Sequence, residues 1–173
     1  LTAVLCGNRF GRGLIVPGGT SSEATGDEIS DISSRLRLIE RDTVNAIELM
    51  LGTPSVITRL EGTGTVNGDT AVKLGLAGVA ARGSGTAADV RNEFPFGIYR
   101  FAQIPVCTWA TGDCFARTCV RWLEVRQSFR FLREQLDSLP GGPERNHDLP
   151  MHPDMITVAL TEGWRGEVCH IAA

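Results

Sequence analysis

The chain has 173 residues, 42% hydrophobic and 21% charged, with a formal net charge of −3. That is long enough for one domain with its own core, and the composition is that of a globular protein. The acidic balance leaves no basic field for nucleic acid or an anionic membrane surface, and no apolar run reaches the about 18–20 residues that cross a bilayer.

The first element in chain order is not regular. Residues 1–26 are glycine-rich, and the opening run Leu1-Thr2-Ala3-Val4-Leu5-Cys6 reads as the middle of something apolar. The chain also stops directly after an apolar strand. The expectation is a single domain over residues 1–173 that is part of a larger subunit. Thr25 and Glu28 then fit a capping box. Ile29, Ile32, Leu36, Ile39, Thr43, Ala46 and Met50 follow in alternating steps of three and four, which predicts a long helix. Gly52 and Pro54 end it.

A short helix is predicted from Thr53-Pro54, with proline at its first position, and another from Asp69. Residues 98–106, IYRFAQIPV, read as extended. A second long helix, capped by Asp113 or Thr111, carries Phe115, Cys119, Trp122, Val125, Phe129, Leu132, Leu136 and Leu139 on one stripe. Pro140-Gly141-Gly142 stops it, and a polar loop rich in proline runs to residue 154. MITVAL and EVCHIA then pair as a hairpin around TEGWRG. The fold class is mainly α: two long helices packed on each other, shorter helices beside them, and a small β-hairpin near the C-terminus.

Several motifs reduce to ordinary structure. Gly62-Thr63-Gly64-Thr65-Val66-Asn67-Gly68 is GxGxxxG, not GxGxxG, and no strand precedes it, so a glycine-rich turn is the reading over dinucleotide binding. Gly7 to Gly19 lack the GK[ST] of a phosphate loop. Arg9 and Arg12 there are either solvated or paired with carboxylates from elsewhere. His147 and His152 flank Asp148 and Asp154, but zinc needs three or four ligands held by a scaffold. The five cysteines, Cys6, Cys107, Cys114, Cys119 and Cys169, form no CxxC pair. They read as reduced thiols, with Cys114 and Cys119 as small buried hydrophobes.

The second long helix is heavily charged, with Asp113, Arg117, Arg121, Glu124, Arg126, Arg130, Arg133 and Glu134. A solvated face is the first reading and burial inside a larger complex the second. Arg165, between Trp164 and Gly166, sits at the hairpin tip, either simply exposed or held by Glu162 or Glu167.

Four stretches, in order, carry a family resemblance: RLEGTGTV (59–66), LGLAGVAARGSGTAADVR (74–91), GDCFARTCVRWLEVRQS (112–128) and EGWRGEVCH (162–170). NRFGRGLIVPGG (8–19) adds to them. Together they resemble the large subunit of the energy-converting, formate hydrogenlyase-type [NiFe] hydrogenases, homologous to the forty-nine-kilodalton subunit of respiratory complex I. The resemblance implies that family's long-helix bundle. It also implies a membrane-peripheral complex on the cytoplasmic side of the inner membrane. Its partners there would be membrane subunits and a small iron–sulfur subunit with a 4Fe–4S cluster.

In those hydrogenases two CxxC pairs hold a nickel–iron centre. Neither pair is here, so the resemblance implies no cofactor in this stretch and no activity of the stretch alone. Glu162, Arg165, Gly166 and His170 match the spacing of the family's Glu-x-Pro-Arg-Gly-x-x-x-His, which implies catalytic roles for Glu162, Arg165 and His170. Trp164 departs from the usual proline. Complex I subunits generally have lysine at the Arg165 position, and there the same fold faces a quinone. A metal-free scaffold of the same ancestry is the further alternative. Asp113, Arg117, Arg121 and Glu124 match a GD…AR…VR…E pattern, and Arg82, Asp89 and Arg91 an ARxSG…D.R pattern. Both imply charged pairs that fix glycine-rich turns against the long helices.

Overall fold

A computed structural model describes residues 1–146 and 154–172. About half of it is helical, with two small antiparallel hairpins. The candidate metal ligands His147, Asp148 and His152 lie outside the described residues. The chain divides into two compact units, Leu1–Asn45 with Phe129–Pro153, and Ala46–Ser128 with Asp154–Ala173.

The first unit opens with a short helix α1 (Thr2–Cys6) and a two-residue ladder of β1 (Ile15–Val16) with β2 (Gly19–Thr20), where irregular chain was expected. The long helix α2 (Gly26–Leu51) begins where the capping box placed it. The Thr25 amide donates to Glu28 Oε2 at 2.8 Å and the Glu28 amide to Thr25 Oγ1 at 3.3 Å, so two of the first unpaired amides of the helix are satisfied reciprocally. Ile32, Leu36 and Phe129 are buried in this unit. Arg133, near the end of the second long helix (α7, Cys114–Asp137), forms an ion pair with Glu40 of α2. Ile29, Thr43 and Met50 of the predicted α2 stripe are half-buried, but Ile39 and Ala46 depart from expectation and are exposed, as are Leu38 and Leu49 beside them. The period of three and four is a property of the helix; whether its apolar face is covered depends on what else is packed there.

The second unit holds α3 (Pro54–Leu60), α4 (Gly68–Lys73), α5 (Gly78–Gly83), α6 (Val90–Glu93), the start of α7 and the hairpin of β3 (Thr157–Gly163) with β4 (Gly166–Ala172). Pro54 stands at the start of α3, as its lost amide allows. The helix expected from Asp69, α4, begins one residue earlier at Gly68 and is capped by Asn67, whose side chain accepts from the Thr70 amide at 2.8 Å. The expected extended run at 98–106 is instead a 3-10 turn (Gly97–Arg100) followed by irregular chain. Pro105 lacks the amide that a strand there would need. The core is made of small residues: Ala71, Val79, Ala81, Val90, Ala116, Cys119 and Val120. On α7 Cys119 is buried as predicted, while Leu132, near the helix's other end, and Leu139 just beyond it are exposed.

Candidate functional site

The short helices of the second unit are held to α7 by backbone contacts, and the charged residues complete that joint. The Gly112 amide donates to the Gly83 carbonyl at 2.8 Å, and the Val66 amide to the Gly112 carbonyl at 2.9 Å. Gly112 has φ +69°, and a Cβ there would lie 1.9 Å from the Val66 oxygen, so only glycine fits. Asp113 caps α7 by accepting from the Ala116 amide at 2.8 Å through Oδ1, and it reaches the Gly62 amide at 2.9 Å through Oδ2. The Thr111 hydroxyl donates to the same carboxylate at 2.9 Å. Arg117 donates to the carbonyls of Gly112 at 2.8 Å and Gly64 at 3.2 Å. The glycine-rich 62–68 stretch is thus a turn clamped by one carboxylate and one guanidinium.

The amide of Ala116, more than any other influence, holds the Asp113 carboxyl below the usual aspartate range, with Gly62 and Thr111 adding to it against the opposing effect of burial. A folded-state value below the unfolded one means that the bound form is the anion. Its stabilisation is present above pH about 4 and is lost as pH falls through the lowered value. Asp113→Ala is expected to cost about 1–2 kcal/mol as a lost helix cap, measured by urea unfolding at pH 7. The difference from wild type should shrink as the pH is brought below 4.

Among the described residues the deepest charge is Arg82, on α5, 1% exposed. Its Nε donates to Glu124 Oε1 at 2.7 Å, its Nη2 to Glu162 Oε1 at 2.9 Å and its Nη1 to the Ala88 carbonyl at 2.9 Å. Asp89 Oδ2 lies 3.8 Å from Nη1. Asp89 itself caps α6 through the Arg91 amide at 2.9 Å and accepts again from Arg91 Nε at 2.9 Å. Burial is the largest single influence on Asp89 and pushes it up, but the hydrogen bonds and charge of Arg91, with the charge of Arg82, outweigh it and leave the carboxyl lowered. Glu124 goes the other way: burial raises it, and the attraction of Arg82 does not cancel that. Cys107 borders the same cluster, its thiol raised by burial first and by the charge of Glu124 second.

The expected pairing of Arg82 with Asp89 and Arg91 therefore widens to five residues, drawn from α5, α6 and its cap, α7 and β3. Glu162 is turned to Arg82 and is not a partner for Arg165 at the tip. Sequence spacing hides this, because Arg82 and Glu162 stand eighty residues apart.

The hairpin pairs Glu162 with Glu167 and Ala159 with His170 across a tight turn at Trp164 and Arg165. Side chains alternate along a strand, so Glu162 and His170 lie on opposite faces. The structure brings Glu162, but not His170, to the Arg82 cluster. The turn itself is seated on α5. A Cβ built on Gly78 would lie 2.3 Å from the Gly166 Cα and 2.7 Å from the Arg165 oxygen, and Gly78 has φ +61°. Arg121 from α7 stacks over the Trp164 ring at 5.7 Å. Arg165 is exposed and lines an open cleft of about 730 Å³ together with Gly75, Leu76, Ala77, Ala80 and the turn from Gly163 to Val168. Leu76, Ala77, Ala80, Trp164 and Val168 make its walls apolar, with Arg165 as the cationic group.

Among the described residues no three His, Cys, Asp or Glu side chains converge on a point that would hold a metal ion. The described part of this chain does not fit a resident nickel–iron centre. Nor is any helix among the described residues long and apolar enough to cross a membrane.

The chain is 32% identical over 167 residues to the carbon monoxide-induced hydrogenase of Rhodospirillum rubrum, covering 95% of this chain and 46% of that protein. It is 34% identical over 112 residues to an NADH-quinone oxidoreductase subunit of Bacteroides thetaiotaomicron, covering 64% of this chain and 21% of that one. Over 85 residues it is 40% identical to an F(420)H(2) dehydrogenase subunit of Methanosarcina mazei, covering 49% of this chain and 23% of that protein. Its fold superposes on a chain of a membrane-bound sulfane sulfur reductase, an archaeal respiratory membrane complex, with a TM-score of 0.80 at 24% identity, covering 90% of this chain and 44% of that one. The chain spans less than half the length of each of these proteins. A family profile, the respiratory-chain NADH dehydrogenase 49 Kd subunit, matches residues 1–164, and the chain belongs to that family.

Proposed function

We propose that this chain serves the large subunit of a complex-I-like oxidoreductase of the energy-converting [NiFe] hydrogenase type, which interconverts dihydrogen and protons and passes electrons to an iron–sulfur subunit. The observation that carries this reading is the presentation of Arg165 on the rim of an apolar cleft by a turn seated on α5, in a chain alike over 95% of its length to a hydrogenase. If the assembled subunit holds a nickel–iron centre, the Arg165 guanidinium would present a fixed positive charge toward it from the rim of the cleft. A guanidinium keeps its charge, which argues for charge stabilisation and against a role as base. Glu162 and His170 join it as candidate catalytic residues. Glu162 acts from the Arg82 side of the hairpin and His170 from the opposite face.

In this reading the nickel–iron centre of the subunit is held by cysteine pairs outside these residues, and a 4Fe–4S cluster lies in the small partner subunit. The two long helices take part in a larger bundle, and the subunit sits at the cytoplasmic face of the membrane on integral partner subunits. The described residues alone carry no redox activity. A second reading, a quinone-reducing subunit of an NADH dehydrogenase, is favoured by the family profile and by the NADH-quinone oxidoreductase relatives. There the cleft would take a quinone.

The test is made on the purified complex that contains this subunit. Stoichiometric nickel and dihydrogen oxidation are expected, with Arg165→Lys lowering kcat about 100-fold while the nickel content is unchanged. A complex without nickel that reduces quinone with NADH would replace the first reading by the second.

A further inference from the structure

The five residues around Arg82 do not balance. Asp89, Glu124 and Glu162 bring three carboxylates, and Arg82 and Arg91 bring two guanidinium groups, in a space where Arg82 is 1%, Asp89 2% and Glu162 7% exposed. Glu124 and Arg91 are only slightly more open, at 19% and 18%. Fully ionised, the cluster carries one uncompensated buried negative charge. Glu167, paired with Glu162 across the hairpin, adds no cation to offset it, and the neighbouring Cys107 brings only a thiol that burial and Glu124 keep protonated. A buried charge without a partner costs several kcal/mol, and a protein relieves it by taking up a proton.

One atom marks where the imbalance falls. Glu162 Oε1 accepts from Arg82, but Glu162 Oε2 is buried without a hydrogen-bond partner. Asp89, by contrast, accepts from the Arg91 amide and guanidinium and stays an anion. Glu124 and Glu162 each take a single bond from the same guanidinium, Arg82. We propose that this cluster is a proton-binding site that holds one proton at neutral pH. The upward displacement of Glu124 by burial agrees with it. Glu162 lies three residues before Arg165 on the strand that leads into the turn, so the site is a proton store beside the cleft. It stands on charge and burial and does not depend on whether the subunit belongs to a hydrogenase or a quinone reductase.

Infrared spectroscopy of the purified protein tests it. At pH 7 a protonated-carboxyl C=O band that shifts down in D2O is expected. Glu124→Gln and Glu162→Gln should each abolish it, because either leaves two carboxylates facing two guanidinium groups. Glu134→Gln, at the exposed pair with Arg130, should leave it unchanged. No such band in the wild-type protein at pH 7, or a band that survives in both glutamine variants, overturns the proposal. Thermal unfolding gives a second reading. If the cluster holds a proton, each single glutamine variant keeps a Tm at pH 7 no lower than that of wild type, and the double variant melts lower. A clear drop in both single variants would show a fully ionised cluster and sink the idea.

Discussion

Arg82→Met is expected to lower the stability of the protein by about 3–5 kcal/mol, because it breaks a buried ion cluster by removing one partner and leaves the rest. Glu124 and Glu162 both lose their hydrogen bond, and Asp89 loses a cation 3.8 Å away. At roughly 2–4 °C per kcal/mol for a chain of this size, the melting temperature should fall by about 10 °C. The pH dependence separates this cause from lost packing. The stranded carboxylates are the cost, so the difference from wild type should narrow as pH falls and they take up protons; a deficit equal at pH 5 and pH 8 would mean that the methionine simply fails to fill the space. Arg82→Lys should recover little, since an ammonium on a flexible stem cannot bridge Glu124, Glu162 and the Ala88 carbonyl in one forked plane.

The second large effect is expected at Gly78. Gly78→Ala introduces a methyl group 2.3 Å from the Gly166 Cα, against backbone on both sides. Nothing flexible can move aside, so the hairpin turn must shift. Gly75 is the matched control, with φ +63° against +61° but nothing within 4 Å of its added Cβ. Gly75→Ala carries only the left-handed penalty of about 1–2 kcal/mol. Gly78→Ala carries that and an overpacking term of about 1–3 kcal/mol. The comparison is read as urea midpoints of the two variants. In the assembled complex Gly78→Ala should also lose turnover, because the turn that carries Arg165 is displaced. Equal effects of the two substitutions would mean that the turn is not seated on Gly78.

The elements that local chemistry controls were legible in the sequence. The Thr25–Glu28 box, the proline at the start of α3, Asp113 at the start of α7 and the C-terminal hairpin each announce themselves within a few residues. The run at 98–106 misled because β-branched and aromatic residues suit a strand only where a neighbouring strand exists to pair with. The α2 stripe misled in another way. Its period reports which face is apolar, and Ile39, Leu38 and Leu49 show that being apolar is not the same as being covered.

For the candidate site, Arg82, Asp89, Arg91 and Glu124 stood out as charged residues in family patterns, but their convergence with Glu162 depends on contacts between helices and a strand distant in the chain. No short-range rule encodes such contacts. Gly78 and Gly166 gave a weak local signal, since a glycine stands on each side of the contact. What that signal meant, two backbones in direct touch, required the fold.

That seat of glycine on glycine has a consequence for how the family can diverge. The joint between the turn and α5 is made of main chain, so it does not depend on which side chains the turn carries at its tip. The atoms that touch Gly78 are main-chain atoms of Arg165 and Gly166 and would be there with another side chain at Arg165, while Trp164 is also stacked by Arg121. The turn works as an interchangeable tool holder. A different side chain at position 165 would be offered at the same point above the same cleft, so a change of chemistry there would need no new scaffold.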